Sequence, residues 1–113
     1  MIRRSGDPLR LRDEALFALC ALTGLRRAQA LALDVLDYDA GDKSIRVRNG
    51  KGRRPRIVPV VTALGAVLNQ FRRTLPARDG KLFPGRAPGE GLTPRQAHSR
   101  FQLWKTAAHL RPE

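Results

Sequence analysis

Apolar residues along this chain switch between helical and strand spacing, and the switches divide it into elements. From about Leu11 to Leu22 the chain is apolar on nearly every side once Glu14 is passed, which predicts a buried helix. Asp7-Pro8 offers a cap and a first-turn proline for a start upstream, and Gly24 supplies the break after it. A short second helix is expected from Arg27 to Leu33, where Ala28, Ala30, Leu31 and Ala32 favour helix. Val35 to Asp39 is read as a short strand, followed by the turn signal Gly41-Asp42.

Ser44 to Arg48 alternates, with Ile45 and Val47 on one face and Arg46 and Arg48 on the other. Arg56 to Val61 answers it with β-branched Ile57, Val58, Val60 and Val61. The turn-rich Asn49–Pro55 stretch between them makes a hairpin with a long tip. Pro59 marks the second strand as an edge or as its end. Thr62 is expected to cap a third helix reaching about Leu75, on the recurrence of Leu64, Val67, Leu68, Phe71 and Leu75. Residues 76–91 read as loop, pinned by Leu82-Phe83. Thr93-Pro94 opens a fourth helix whose stripe is Ala97, Phe101, Trp104 and Ala108, widened by Leu103, Ala107 and Leu110. The fold class expected is α+β: mainly helical, with a small antiparallel sheet of about three strands carrying a basic hairpin.

At 113 residues this is one domain or a piece of one. Residues 1–10 read as a polar linker and 11–113 as the domain. The formal net charge of +12 changes the picture most. Only Lys43, Lys51, Lys81 and Lys105 are lysines, so arginine, which grips phosphate bidentately, dominates the 22 basic residues. Such a balance favours a polyanionic partner, nucleic acid ahead of membrane. Cys20 is the only cysteine and sits in an apolar run, so it reads as a small buried side chain; an internal disulfide and a cysteine-zinc cluster are excluded. No run reaches the length of a membrane span, and a cytoplasmic protein is expected, nucleoid-associated where DNA-bound.

The charge is densest in the hairpin. Arg46, Arg48, Lys51, Arg53, Arg54 and Arg56 are six positive side chains with no negative one among them. Glycines on either side of Lys51 let backbone approach a ligand closely. A basic finger on a ribbon suits phosphate contact, which positions DNA without reading its sequence. Gly50-Lys51-Gly52 is not a nucleotide-binding P-loop, because no Ser or Thr follows the lysine and no strand-to-helix junction surrounds it.

The order of short motifs resembles the first part of the catalytic domain of the tyrosine recombinases, the phage integrase and Xer-like enzymes. The residues that carry it are Arg12-Asp13-Glu14-Ala15-Leu16, Thr23-Gly24-Leu25-Arg26, Leu33-Asp34-Val35-Leu36-Asp37-Tyr38-Asp39, Ile45-Arg46-Val47, Gly50-Lys51-Gly52, Arg56-Ile57-Val58-Pro59-Val60, Leu82-Phe83-Pro84 and Leu92-Thr93. Each is weak alone; in this order, from about residue 11 to 110, they are specific. The resemblance implies site-specific DNA recombination: strand cleavage and rejoining through a 3′-phosphotyrosine, with double-stranded DNA as partner and no cofactor or metal. It places Arg26 on the scissile phosphate and makes Lys51 the general acid toward the leaving 5′ hydroxyl. Physically, an arginine stabilises charge growing on phosphorus and a lysine protonates the departing oxygen. Arg27 joins the hairpin cations Arg46, Arg48, Lys51, Arg53, Arg54 and Arg56 as an expected DNA contact.

Departures from the family pattern limit the expectation. Gln29 stands where the family carries Glu, and an amide hydrogen-bonds but does not ion-pair. Neither His98 nor His109 begins a His-x-x-Arg motif. Tyr38, the only tyrosine, reads as structural. The 113 residues are therefore expected to be catalytically incomplete, and to self-associate through surface that later helices would cover. Trp104 reads as core rather than as a base-stacking residue. The two histidines lack the spacing of a metal site. Asp34, Asp37 and Asp39 read as solvated or arginine-paired. Arg72, Arg73, Arg95 and Arg100 are candidates to extend a DNA-facing surface. Two other classes stay open: a non-enzymatic DNA-binding or regulatory protein on the same fold, and a basic RNA- or ribosome-associated module.

Overall fold

The computed structural model describes residues 9–48, 55–76, 79–85 and 90–110, with side chains to 105 in the last stretch. Helix α1 spans Arg10–Thr23 and ends on Gly24, whose φ of 75° is left-handed; its N–H donates to the Cys20 carbonyl. Glycine takes this conformation without the steric cost of a Cβ, so the chain leaves the helix sharply here. The start of α1 differs from expectation: Leu9 is the cap residue and makes no side-chain cap bond. Asp7 and Pro8 lie outside the described residues.

Helix α2 is only Arg27–Leu31. Five residues do not sustain a helix in water, and two local features support this one: Gln29 Oε1 accepts the Arg26 N–H at 3.0 Å, and Ala30 and Leu31 are buried. The expected strand at 35–39 is corrected to a 3₁₀ turn at Val35–Asp37 followed by the two-residue strand β1, Tyr38–Asp39. The Asp37 carboxylate accepts the Asp34 N–H at 2.9 Å, and that local bond competes with extended pairing.

Strands β2 (Ser44–Val47) and β3 (Arg56–Pro59) complete a three-stranded antiparallel sheet in the order β1-β2-β3. Ile45 faces Tyr38 on one side and Val58 on the other, and all three are buried. Pro59 ends the edge strand β3, where its missing N–H does not interrupt an inner ladder. In the turn before β2 the left-handed residue is Lys43, φ 53°, not Gly41.

Helix α3 covers Thr62–Arg72. Thr62 lies inside it and Val61 is the cap residue, so the expected threonine cap is not formed. Leu64, Val67, Leu68 and Phe71 are buried as their spacing requires, and α3 packs chiefly on α1. The following loop is stitched down by backbone bonds: Val35 N–H to Gly80 O at 2.8 Å and Leu82 N–H to Leu33 O at 3.0 Å. Leu82 and Phe83 are fully buried, and Phe83 stacks on Phe71 at 5.7 Å. Gly85 meets Gly91 so closely that a Cβ there would sit 2.7 Å from the Gly91 carbonyl oxygen. Helix α4, Pro94–Leu110, packs on α1 and α2. Its stripe is buried at Ala97 but left partly open at Phe101 and Leu103. The side chains of Ala107, Ala108, His109 and Leu110 lie outside the described residues. The result is the α+β class read from the pattern, with the core between α1, α3 and one sheet face. Among the described residues no helix is long and apolar enough to cross a membrane.

Candidate nucleic-acid interface

Arg26 stands at the corner between α1 and α2. Its φ of −72° and ψ of 151° are extended, and this turns the chain from one helix into the next. Thr23 helps hold the corner: its hydroxyl donates to Leu19 O at 2.6 Å and accepts the Leu25 N–H at 3.2 Å. Leu25 is buried beneath. Arg26 itself is exposed, and its guanidinium makes no ion pair among the described residues. Gln29 contacts Arg26 through the backbone N–H. The amide thus fulfils a capping role and leaves the arginine's positive charge uncompensated.

Arg27 is placed differently. Its Nη1 lies 3.4 Å from His98 Nδ1, and its guanidinium sits 5.5 Å over the Phe101 ring. Phe101 in turn meets Phe17 edge-on at 5.6 Å. This arginine ties α2 to α4, with a cation–π contribution of about 0.5–1 kcal/mol.

The sheet divides the hairpin cations that the sequence presents as one set. Arg46 pairs with Ile57 on the solvent face, where Ile57 is 62 % exposed. Arg56 pairs with Val47 and so belongs to the core-side face, at its open rim. Neither Arg46 nor Arg56 has an ion-pair partner among the described residues. Arg48 has two. Its Nη2 donates to Asp34 Oδ2 at 2.7 Å and to Asp37 Oδ2 at 2.6 Å. Lys81 Nζ approaches Asp34 Oδ1 at 3.6 Å. The hydrogen bond from Arg48, with Lys81 nearby, holds the Asp34 carboxyl below the usual carboxylate range, and the two carboxylates push the Arg48 guanidinium above its ordinary value. Lys51, Arg53 and Arg54 lie outside the described residues, so the pairing of Arg26 with Lys51 has no geometry here.

Tyr38 is buried, as a structural tyrosine should be. Its hydroxyl donates to Asn69 Oδ1 at 2.8 Å, and Arg72 stacks 5.0 Å over its ring. Burial pushes the phenol's pKa up. Arg72 is therefore partly engaged inside the fold. Arg100 is more so: with Trp104 and Arg12 it surrounds Asp13, the one fully buried charged residue among those described. Asp13 Oδ2 accepts Arg100 Nε at 2.7 Å and Trp104 Nε1 at 2.8 Å, and Asp13 Oδ1 accepts Arg12 Nη2 at 3.2 Å. In the sequence Asp13 stands out only as part of the Arg12-Asp13-Glu14-Ala15-Leu16 motif. The signal available was a lone acid on the apolar face of a helix, which demands partners.

The chain is similar in sequence and in fold to known proteins. The sequence profile described as the phage integrase family matches residues 1–113. The chain is 38 % identical over 102 residues to a tyrosine recombinase XerC of Shewanella oneidensis, covering 87 % of this chain and 32 % of that protein. It is 40 % identical over 113 residues to the tyrosine recombinase XerC of Mycobacterium tuberculosis, covering 96 % of this chain and 38 % of that protein. The chain thus spans about a third of the length of these relatives. The crystal structure of the XerA recombinase superposes with a TM-score of 0.66 over 96 % of this chain and 43 % of that one, at 20 % identity, a likeness of fold. On the profile match along its whole length, the chain belongs to the phage integrase family.

Proposed function

We propose that this chain binds duplex DNA and forms the first part of a catalytic domain for site-specific recombination, residues 11–113 being that part and 1–10 a linker. The observation that carries the reading is Arg26: an exposed arginine held at a helix corner, with no carboxylate among the described residues to neutralise it, inside a chain of recombinase-family sequence. A phosphate is the natural occupant of such a position. Arg26 then stabilises the scissile phosphate and Lys51 acts as general acid toward the 5′ oxygen. Arg46, Arg53, Arg54 and Arg56 bear on the backbone. Cleavage and rejoining through a 3′-phosphotyrosine is the parent reaction.

The 113 residues do not cleave DNA on their own. Tyr38, buried and hydrogen-bonded to Asn69, is unavailable as a nucleophile. That same burial supports a second reading, a DNA-binding protein without chemistry. Titration of the chain with duplex DNA at rising salt tests the shared core of both: binding should weaken steeply. Absence of binding at low salt would refute both. A nicked suicide substrate separates them from an active enzyme, since a covalent adduct on Tyr38 would contradict the assignment. Exposed Leu36, Ile57, Val61 and Phe101 support self-association, and a monomeric sedimentation profile at high concentration would count against it. Binding to DNA would place the protein on the nucleoid.

A further inference from the structure

Asp34 and Asp37 are held side by side by the 3₁₀ turn, because Asp37 accepts the Asp34 N–H. Two carboxylates so close repel unless a cation lies between them, and Arg48 Nη2 bridges them at 2.7 and 2.6 Å. Lys81 closes the network on the far oxygen of Asp34. Arg48 directly follows β2, at the root of the hairpin. A phosphate seeking Nη2 would have to displace two carboxylates, and their negative charge beside the guanidinium repels a phosphate that approaches its other nitrogens. We propose that Arg48 is a positioning residue and not a phosphate contact: Asp34 and Asp37 hold it at the hairpin root, and by holding it they set how strongly the chain grips a nucleic-acid backbone. The proposal rests on the DNA-binding reading above. It removes from the interface a residue that charge alone assigns to it, and it gives two acidic residues a role in tuning affinity.

The test compares salt dependence, which counts phosphate contacts. Each contact contributes a slope of about 0.9 in log K against log salt. Four forms of the full chain are titrated with one duplex: unaltered, Arg48→Ala, Asp34→Asn/Asp37→Asn, and the triple variant. Asn at 37 keeps an oxygen to accept the Asp34 N–H, so the turn should survive. A single Asp37→Asn, with melting followed by circular dichroism, serves if the double variant does not fold. Neutralising the acids should steepen the slope by at least about 0.9, since Arg48 is freed. Arg48→Ala should leave the slope unchanged in the unaltered background and lower it by about 0.9 in the Asn background. In the single Asp37→Asn form the slope should steepen in the same direction by less. Equal losses on Arg48→Ala in both backgrounds, or no steepening on neutralising the acids, would overturn the proposal alone. Failure of the unaltered chain to bind DNA would overturn the function reading and this proposal together.

Discussion

Trp104 Nε1 donates to Asp13 Oδ2 at 2.8 Å, joining residues 91 positions apart and fastening α4 to α1. Arg100 reaches the same oxygen, so one buried carboxylate holds two side chains of the last helix. Asp13→Ala would leave these donors facing an apolar gap. Breaking a buried charge cluster in this way costs about 3–5 kcal/mol. Urea denaturation followed by Trp104 fluorescence should show that loss. Asp13→Asn, which retains one acceptor, should lose less.

Gly24 isolates a backbone effect. A Cβ built there meets nothing within 4 Å, yet φ is 75°. The cost of Gly24→Ala is therefore conformational alone, about 1–2 kcal/mol. In a domain of this size each kcal/mol lowers Tm by several degrees, roughly 4–8 °C. A thermal melt unchanged by the substitution would show that the left-handed corner is not held.

Arg26→Ala separates binding from folding. The side chain is exposed and supports no ion pair among the described residues, so Tm should hold within a degree or two, consistent with about ±0.5 kcal/mol for a surface site. The salt slope for duplex DNA should fall by about 0.9. Gln29→Ala should do the opposite. It removes the oxygen that accepts the Arg26 N–H, which costs about 0.5–2 kcal/mol of helix stability, and it leaves the slope unchanged.

The Asp34 carboxyl sets a pH dependence. Arg48 depresses its folded pKa, so it contributes stability above the ordinary aspartate value near ~3.9 and loses it as pH falls through the lower folded value. In Arg48→Ala the largest cause of the depression is removed, and Lys81 alone remains to sustain it. Stability measured from pH 7 down to pH 2 should then fall less steeply than in the unaltered chain. Parallel profiles would show that Arg48 does not interact with Asp34 in solution.

Cys20 is half-buried against the core, and burial pushes its thiol up in pKa, with Arg27 only partly opposing this. Thiolate is the reactive form. Alkylation of the folded chain by iodoacetamide at pH 7.5 should be slow and should speed up in denaturant.

Much of the fold was legible because its signals are local. The 3.6-residue recurrence of Leu64, Val67, Leu68 and Phe71 and the alternation at Ile45 and Val47 each encode an element within a few residues. Gly24 marks a helix end through its own conformational freedom. Where reading failed, a local hydrogen bond won: the Asp37 carboxylate captures the Asp34 N–H and turns an expected strand into a 3₁₀ turn. Thr62 has cap chemistry, but the helix begins one residue too early for it to act. The candidate site was legible in outline, through Thr23-Gly24-Leu25-Arg26, and Arg26 does stand exposed at its corner.

By itself, then, the sequence determined most of the elements, the family and the excess of positive charge, since composition and short-range periodicity need no knowledge of distant neighbours. Only the tertiary structure decided which charges remain available. Arg46 and Arg48 are two residues apart and look equivalent in the chain. One lies on an open sheet face, while the other meets carboxylates 11 and 14 positions upstream. Arg100 and Asp13 find each other across 87 positions. A cation's function depends on the nearest opposite charge in space, and Coulomb attraction between side chains follows distance rather than sequence separation.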